Sequence, residues 1–146
     1  MFKKAICFDD VLLAPAFSSI KSREEIDLTV SLGREKFTLP IVSSPMDTVT
    51  ESSMSLKMIK NGGLGIIHRY NSIEQQSALA SEVFESLAEE EHFGVSKVSA
   101  AIGVSGDFLS RASHLFVSGV RILCVDVAHG HHSMMEQALK KLKDKF

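Results

Sequence analysis

The chain is predicted to fold as an α/β protein around a parallel sheet, and three observations carry that prediction. Short, nearly continuous apolar runs rich in β-branched residues recur from residue 39 onward. Helical patterns lie between them, and polar clusters follow each run. Strands buried on both faces read as continuous apolar runs, whereas antiparallel strands with one wet face alternate, so the sheet is expected to be parallel.

The first run is Leu39-Pro-Ile-Val-Ser43, followed by a helix over Glu51 to Asn61 with Met54, Met58 and Ile59 at helical spacing. Asn61-Gly62-Gly63 is its stop signal. The second run, Leu64-Gly-Ile-Ile-His68, leads to a helix over Ser72 to Glu91, where Ser72 and Gln75 make a capping-box pair. The third, Lys97-Val-Ser-Ala-Ala-Ile102, precedes a helix over Gly106 to Ser118 with Leu109, Leu115 and Phe116, ended by Ser118-Gly119. The fourth, Arg121-Ile-Leu-Cys-Val-Asp-Val127, precedes a helix over Ser133 to Phe146, whose closing lysines read as a solvated face.

Strand starts near 39, 64, 97 and 121 have the spacing of βα units, which suits either a (β/α)8 barrel or a doubly wound sheet. A closed barrel typically takes about 250 residues. Four units in 146 residues are about half of one, and their open strand edges call for further sequence, a second copy or another chain.

Composition excludes several classes. Apolar residues make up 45% and charged residues 23%, with no apolar stretch of the ~20 residues a membrane span needs. Sixteen Lys+Arg against 18 Asp+Glu leave no basic excess for a nucleic-acid groove. Cys7 and Cys124 form neither a CxxC pair nor a zinc spacing, and the N-terminus lacks a signal-peptide core, so a reducing, cytoplasmic setting is expected.

In parallel α/β proteins ligands bind beyond the carboxyl ends of the strands. There stand Ser43 to Glu51, His68 to Asn71, Gly103 to Gly106, and Asp126 with Ala128-His129-Gly130-His131-His132. Ser44 to Glu51 reads as a ligand shelf or as a loop ending in helix caps. Met46 reads as an apolar contact for a flat ring or as an inward-packed loop residue. Asp126 ends an apolar strand, where a carboxylate needs partners, and fits a ligand site or a structural role accepting from loop amides. The histidines lack a companion ligand cluster, so no metal is assigned. Gly62-Gly63-Leu64-Gly65 precedes its strand and is no dinucleotide fingerprint.

Phe8-Asp-Asp-Val-Leu-Leu-Ala-Pro15, Leu39-Pro-Ile-Val-Ser-Ser-Pro-Met-Asp-Thr-Val-Thr-Glu51, Gly62-Gly-Leu-Gly-Ile-Ile-His68 and Asp126-Val-Ala-His-Gly-His131 occur in one order along the chain. Together they resemble the IMP dehydrogenase/GMP reductase family. The resemblance implies a (β/α)8 TIM barrel of which this chain supplies about the first four βα units, as a single domain over residues 1–146; relatives of the dehydrogenase type commonly insert a CBS module between the second helix and third strand, and here Glu82 to Val98 runs straight through, so no CBS insertion is expected.

It further implies a cytoplasmic homotetramer that binds a purine nucleoside monophosphate and exchanges hydride with NAD or, alternatively, NADP. IMP dehydrogenases form XMP from IMP, NAD and water in guanine nucleotide biosynthesis; the alternative, GMP reductase, forms IMP and ammonia from GMP and NADPH. Both pass through an adduct of a loop cysteine with purine C2. The family's nucleophile belongs to barrel segments beyond Phe146, as does any bound monovalent cation such as potassium, so no catalytic residue is assigned in this chain. Ser44, Met46 and Arg69 are the implied substrate contacts, Arg69 standing where relatives often carry Lys. Asp126, Ala128, His129 and Gly130 are the implied cofactor contacts. A reading of another class is a non-catalytic half-barrel that self-associates or binds nucleotide.

Overall fold

The computed structural model of the chain describes residues 3–90 and 95–146. A hairpin of β1 (Val30–Leu32) and β2 (Glu35–Phe37) precedes a four-stranded parallel sheet in the order β3 (Val42–Ser43), β4 (Leu64–Ile67), β5 (Ser99–Ile102) and β6 (Ile122–Val125). Helices α1 (Ser52–Lys60), α2 (Ile73–Ala88) and α3 (Phe108–Val117) connect successive strands, and α4 (Ser133–Lys145) follows the last. The chain is thus α/β with a parallel sheet, and strand order follows chain order. Among the described residues no helix is long and apolar enough to cross a membrane.

Side chains alternate across the sheet, as the two-residue strand period requires. Ile67, Ala100, Ile102, Leu123 and Val125 face a core built with residues from all four helices, among them Ile59, Val83, Leu115 and Leu142. Leu64, Ile66, Ala101, Ile122 and Cys124 face the other way, where Phe37 from the hairpin covers them. Strands β4 and β5 are buried throughout, whereas every residue of the edge strand β6 is half-buried.

The expected punctuation is present. Ser72 accepts from the Gln75 amide while Gln75 Oε1 accepts from the Ser72 amide, closing the capping box of α2. Gly62 and Gly119 end α1 and α3 with φ of 83° and 93°, a region that disfavours side chains. Helix α2 ends at Ala88, short of the expected Glu91, which lies outside the described residues.

Four expectations need correction. The βα rhythm is preceded by the β1–β2 hairpin, whose two-residue loop places Gly33 at φ 61°, the first position of a type II′ turn. Strand β3 is only two residues long, because Pro40 has no amide hydrogen and the Ile41 amide turns back to the Leu39 carbonyl. In α1 the buried face is Ser52, Ser55 and Ile59, and Met54 is exposed. Helix and strand approach so closely there that a Cβ on Gly65 would lie 2.5 Å from Ser55 Cα, leaving room only for small residues. In α3 the buried face is Phe108, Ala112 and Leu115, whereas Phe116 is exposed, with the Arg121 guanidinium 4.8 Å over its ring.

Candidate functional site

Because β3 to β6 run in the same direction, the polar clusters expected after each strand gather at one edge of the sheet. Two parts can be told apart there, the loop after β3 and the loops after β4, β5 and β6.

The loop after β3 is closed by its own backbone. The Met46 carbonyl accepts from the amides of Val49 and Thr50, each at 2.9 Å, and the Met46 amide donates to the Ser44 carbonyl at 2.8 Å. Buried Thr50 sits under the loop with its hydroxyl 2.7 Å from the Ser44 carbonyl and 2.9 Å from Ser43 Oγ. One hydroxyl hydrogen serves one acceptor, so Thr50 donates to the carbonyl and accepts from Ser43. Ser44 is exposed, and the Met46 side chain, on a residue 49% exposed, does not pack inward.

Across the edge, the Arg69 guanidinium meets Asp126. Its Nη2 donates to the Asp126 carbonyl at 3.2 Å, and its Nε lies 3.6 Å from the Asp126 carboxylate. Asp126 therefore has a guanidinium as the partner of its carboxylate, and its own amide continues the sheet by donating to the Ile102 carbonyl. Both side chains are about one-third exposed, and such a pair is worth only about 0–1 kcal/mol. Among the described residues the buried Arg69 Nε has no acceptor within hydrogen-bond distance, the Asp126 carboxylate being the ion-pair partner it faces. The guanidinium lies over Gly103, where an added Cβ would come within 3.7 Å of Nη1.

His68, at the end of β4, is buried; its Nδ1 accepts from the Tyr70 amide at 3.1 Å, which leaves the ring hydrogen on Nε2, 3.5 Å from Glu51 Oε1. Glu51 at the head of α1 caps no amide with its side chain and instead faces this imidazole.

A cavity of about 300 Å³ opens between Arg69, Gly103, Ser105, Asp107, Arg111 and Ala128. Ala128 thus joins Arg69 at this cavity, with Asp126 linked to it through the Arg69 guanidinium, but the next two implied contacts turn elsewhere. The His129 ring lies edge-on to that of His131, and Gly130 lines a different cavity with His131, His132 and Glu136. His132 caps α4, its Nδ1 accepting from the Met134 amide at 3.1 Å, a structural use that the histidine cluster did not announce. Ser44 and Met46 are in the other loop, whose bonds run within itself. Among the described residues no three His, Cys, Asp or Glu side chains gather to hold a metal ion.

Neither cysteine is placed as a nucleophile at this edge. Burial, and after it the Asp126 carboxylate, push the Cys124 thiol up and keep it protonated. Cys7 is exposed in the N-terminal segment, where its thiol and amide both reach the Asp10 carboxylate. The residues that sequence reasoning did not single out are Thr50, Gln76 and Arg111. Gln76 carries a readable signal, since it occupies an apolar-stripe position of α2 with Ala80, Val83 and Leu87.

The chain matches the family described as IMP dehydrogenase / GMP reductase domain over residues 5–146. It is 52% identical over 77 residues to an inosine-5'-monophosphate dehydrogenase of Nitrosopumilus maritimus, covering 52% of this chain and 16% of that protein. To that of Bacillus subtilis it is 48% identical over 85 residues, 58% of this chain and 17% of the relative. To that of Borreliella burgdorferi it is 30% identical over 187 aligned positions, 99% of this chain and 46% of the relative. The chain spans less than half the length of these curated relatives. With nearly every residue inside the match and its strands, loops and site edge in the expected order, the chain belongs to the IMP dehydrogenase/GMP reductase family.

Proposed function

We propose that this chain supplies the first four βα units of a (β/α)8 barrel, as one domain over residues 1–146, in an oxidoreductase of the IMP dehydrogenase type. The observation that carries the reading is a cavity at the carboxyl edge of a parallel sheet lined by Arg69 and Ala128, with Asp126 paired to that same Arg69 and the Ser44–Met46 loop on the same edge. Strand order following chain order, with all four helices packed into one core on one face, favours a barrel over a doubly wound sheet, whose order reverses.

In this reading Ser44 and the exposed Met46 thioether receive the nucleotide, and Arg69 stands beside its base. The Asp126 carboxylate accepts from a ribose hydroxyl of the cofactor, and Ala128 lies alongside; His129 and Gly130, which follow it in the loop, would have to turn toward the cofactor to join it. The residues present fit a nicotinamide nucleotide. Gly103 and Ala128 leave bare surface under the guanidinium, whose side chain is about one-third exposed. About 300 Å³ is the lower end of ligand-site volumes and suits a nicotinamide riboside portion. When bound, NAD takes up hydride from the purine, so that IMP and water give XMP, NADH and a proton. The chain's own groups bind and orient; its two cysteines do not supply the nucleophile. NAD use, a homotetrameric assembly and a cytoplasmic setting belong to the same proposal.

Two measurements test it. Titrating IMP into the isotope-labelled chain is expected to move the amide signals of Ser44, Met46, Arg69 and Asp126 to Gly130; saturating IMP that leaves all of them unmoved overturns the reading. Nicotinamide absorbance in a single turnover, with IMP plus NAD and then GMP plus NADPH, is expected to stay flat for this chain alone. A signal with GMP would assign it to the reductase branch instead.

A further inference from the structure

Gln76 is a polar residue in a core position. The carboxamide is wholly inaccessible and fully used. Its Nε2 donates to the carbonyls of His68 at 2.9 Å and Ala101 at 2.8 Å, and its Oε1 accepts from Arg111 Nη1 at 2.9 Å. Two carbonyls require donors and a guanidinium requires an acceptor, so the amide fits in one orientation. Arg111 reaches in from α3 with its side chain only 11% exposed, and its Nη2 donates to the Asn71 carbonyl at 3.1 Å. One chain of hydrogen bonds therefore ties the ends of β4 and β5, helix α3 and the loop 68–71 together.

That loop carries Arg69. Its backbone is held at both ends, at His68 by Gln76 and at Asn71 by Arg111, with the Tyr70 amide bonded to His68 Nδ1 between them. Among the described residues the Arg69 guanidinium, by contrast, donates one hydrogen bond, to the Asp126 carbonyl, while its buried Nε faces the Asp126 carboxylate at 3.6 Å, beyond hydrogen-bond reach. A rigid backbone under an under-bonded side chain allows the guanidinium to take an outside acceptor without moving the loop.

We propose that Gln76 and Arg111 are positioning residues, a buried clamp that fixes the loop 68–71 so that Arg69 is presented to Asp126 and to the ligand of this edge. The proposal rests on the nucleotide reading above for the identity of that ligand, and on the hydrogen bonds alone for the clamp.

The test compares the labelled full chain with Arg111→Met, Arg111→Lys and Ala112→Gly. The last weakens the same helix beside Arg111 without touching the clamp. Amide exchange at Tyr70, the side-chain nitrogen shifts of His68 and the IMP dissociation constant are read for each. Arg111→Met is expected to speed Tyr70 exchange at least tenfold, to move the His68 Nδ1 signal and to weaken IMP about tenfold. Arg111→Lys, which keeps the charge but not the fork, is expected to fall between, and it serves alone if Arg111→Met does not fold. Ala112→Gly is expected to lower the melting temperature while leaving Tyr70 and His68 as in the parent. If Ala112→Gly moves them as much as the Arg111 variants at equal loss of melting temperature, or if the Arg111 variants leave them unmoved, the clamp is refuted. If the parent chain binds no IMP, the nucleotide reading falls, and the Tyr70 and His68 signals still decide the clamp.

Discussion

Strands β4 and β5 and the segment 3–29 are both rich in large apolar residues, yet their fates are opposite. Every residue of the two strands is buried, and every residue from Lys3 to Thr29 is exposed, including Phe8, Leu12, Leu13 and Phe17, each at least 95% exposed. The accessible surface of the chain is 10638 Å², whereas a compact protein of 16.0 kDa exposes about 7,400 Å². The difference is one of partners rather than composition. In the βα units each apolar face meets another element at a fixed period, whereas the segment 3–29 has two short 3-10 turns and no buried residue. Stability is therefore expected to reside in the first region and to be nearly indifferent to the second.

The largest effect is expected where backbone meets backbone. Gly65→Val places a side chain against Ser55 Cα, which cannot yield without moving α1 from the sheet. The loss is expected to be about 3 kcal/mol or more, read as the midpoint of urea unfolding. A midpoint equal to that of the parent would mean that α1 is not seated on β4. Next comes Gln76→Leu, which keeps the volume but leaves the His68 and Ala101 carbonyls and an Arg111 N–H without partners. Unsatisfied buried groups cost about 1–3 kcal/mol each and are not additive, so a loss of about 3 kcal/mol is expected. A neutral result would show that water replaces the carboxamide.

A smaller effect lies at the head of α2. Ser72→Ala removes the acceptor of the Gln75 amide and is expected to lower stability by about 1 kcal/mol in the same unfolding measurement. The Glu74 carboxyl is held below the usual carboxylate range by its own backbone amide first and by the Ser72 hydroxyl second. A lowered folded pKa contributes stability above the unfolded value of 4.5 that is lost as pH falls through the folded one. Ser72→Ala is therefore expected to flatten the acid limb of the stability curve; an acid limb parallel to that of the parent would separate Glu74 from the cap.

Much of this organisation was legible in the sequence, and the exceptions share a cause. Gly62, Ser72, Gln75 and Gly119 act within a few residues of themselves, so their signals are local and hold. Met54 and Phe116 fit the helical period but point to solvent, because Gly65 fixes which face of α1 can approach β4, and Phe108, Ala112 and Leu115 already fill the inward face of α3. Such facts depend on a partner element distant in sequence. The site divides in the same way. Arg69 and Asp126 could each be found as polar residues after a strand, but their pairing spans 57 positions, and the buried roles of Gln76 and Arg111 depend on carbonyls contributed by β5 and by the loop 68–71. The β1–β2 hairpin was missed although Gly33 signals it, since a glycine opening a two-residue loop after the alternating Val30-Ser-Leu32 is a local signal.

The smallest expected effect bears most directly on the contrast between the two regions. Replacing Phe8, Leu12, Leu13 and Phe17 together by Ser removes four large apolar side chains, a change that would cost about 1.5–3 kcal/mol for each one buried. Here each is in water already, so folding recovers nothing from it, and the melting temperature is expected to stay within about 2 °C of the parent, a change of well under 1 kcal/mol for a domain of this size. The amides of residues 3–29 are expected to exchange without measurable protection in both proteins, while those of β4 and β5 exchange only through global unfolding. The comparison is run at two protein concentrations, because contacts between copies would make the parent, and not the variant, more stable as concentration rises. A melting temperature that drops by 5 °C or more at the lower concentration would show that these side chains are buried within one chain, and the division between the self-covered βα units and the segment 3–29 would then be wrong.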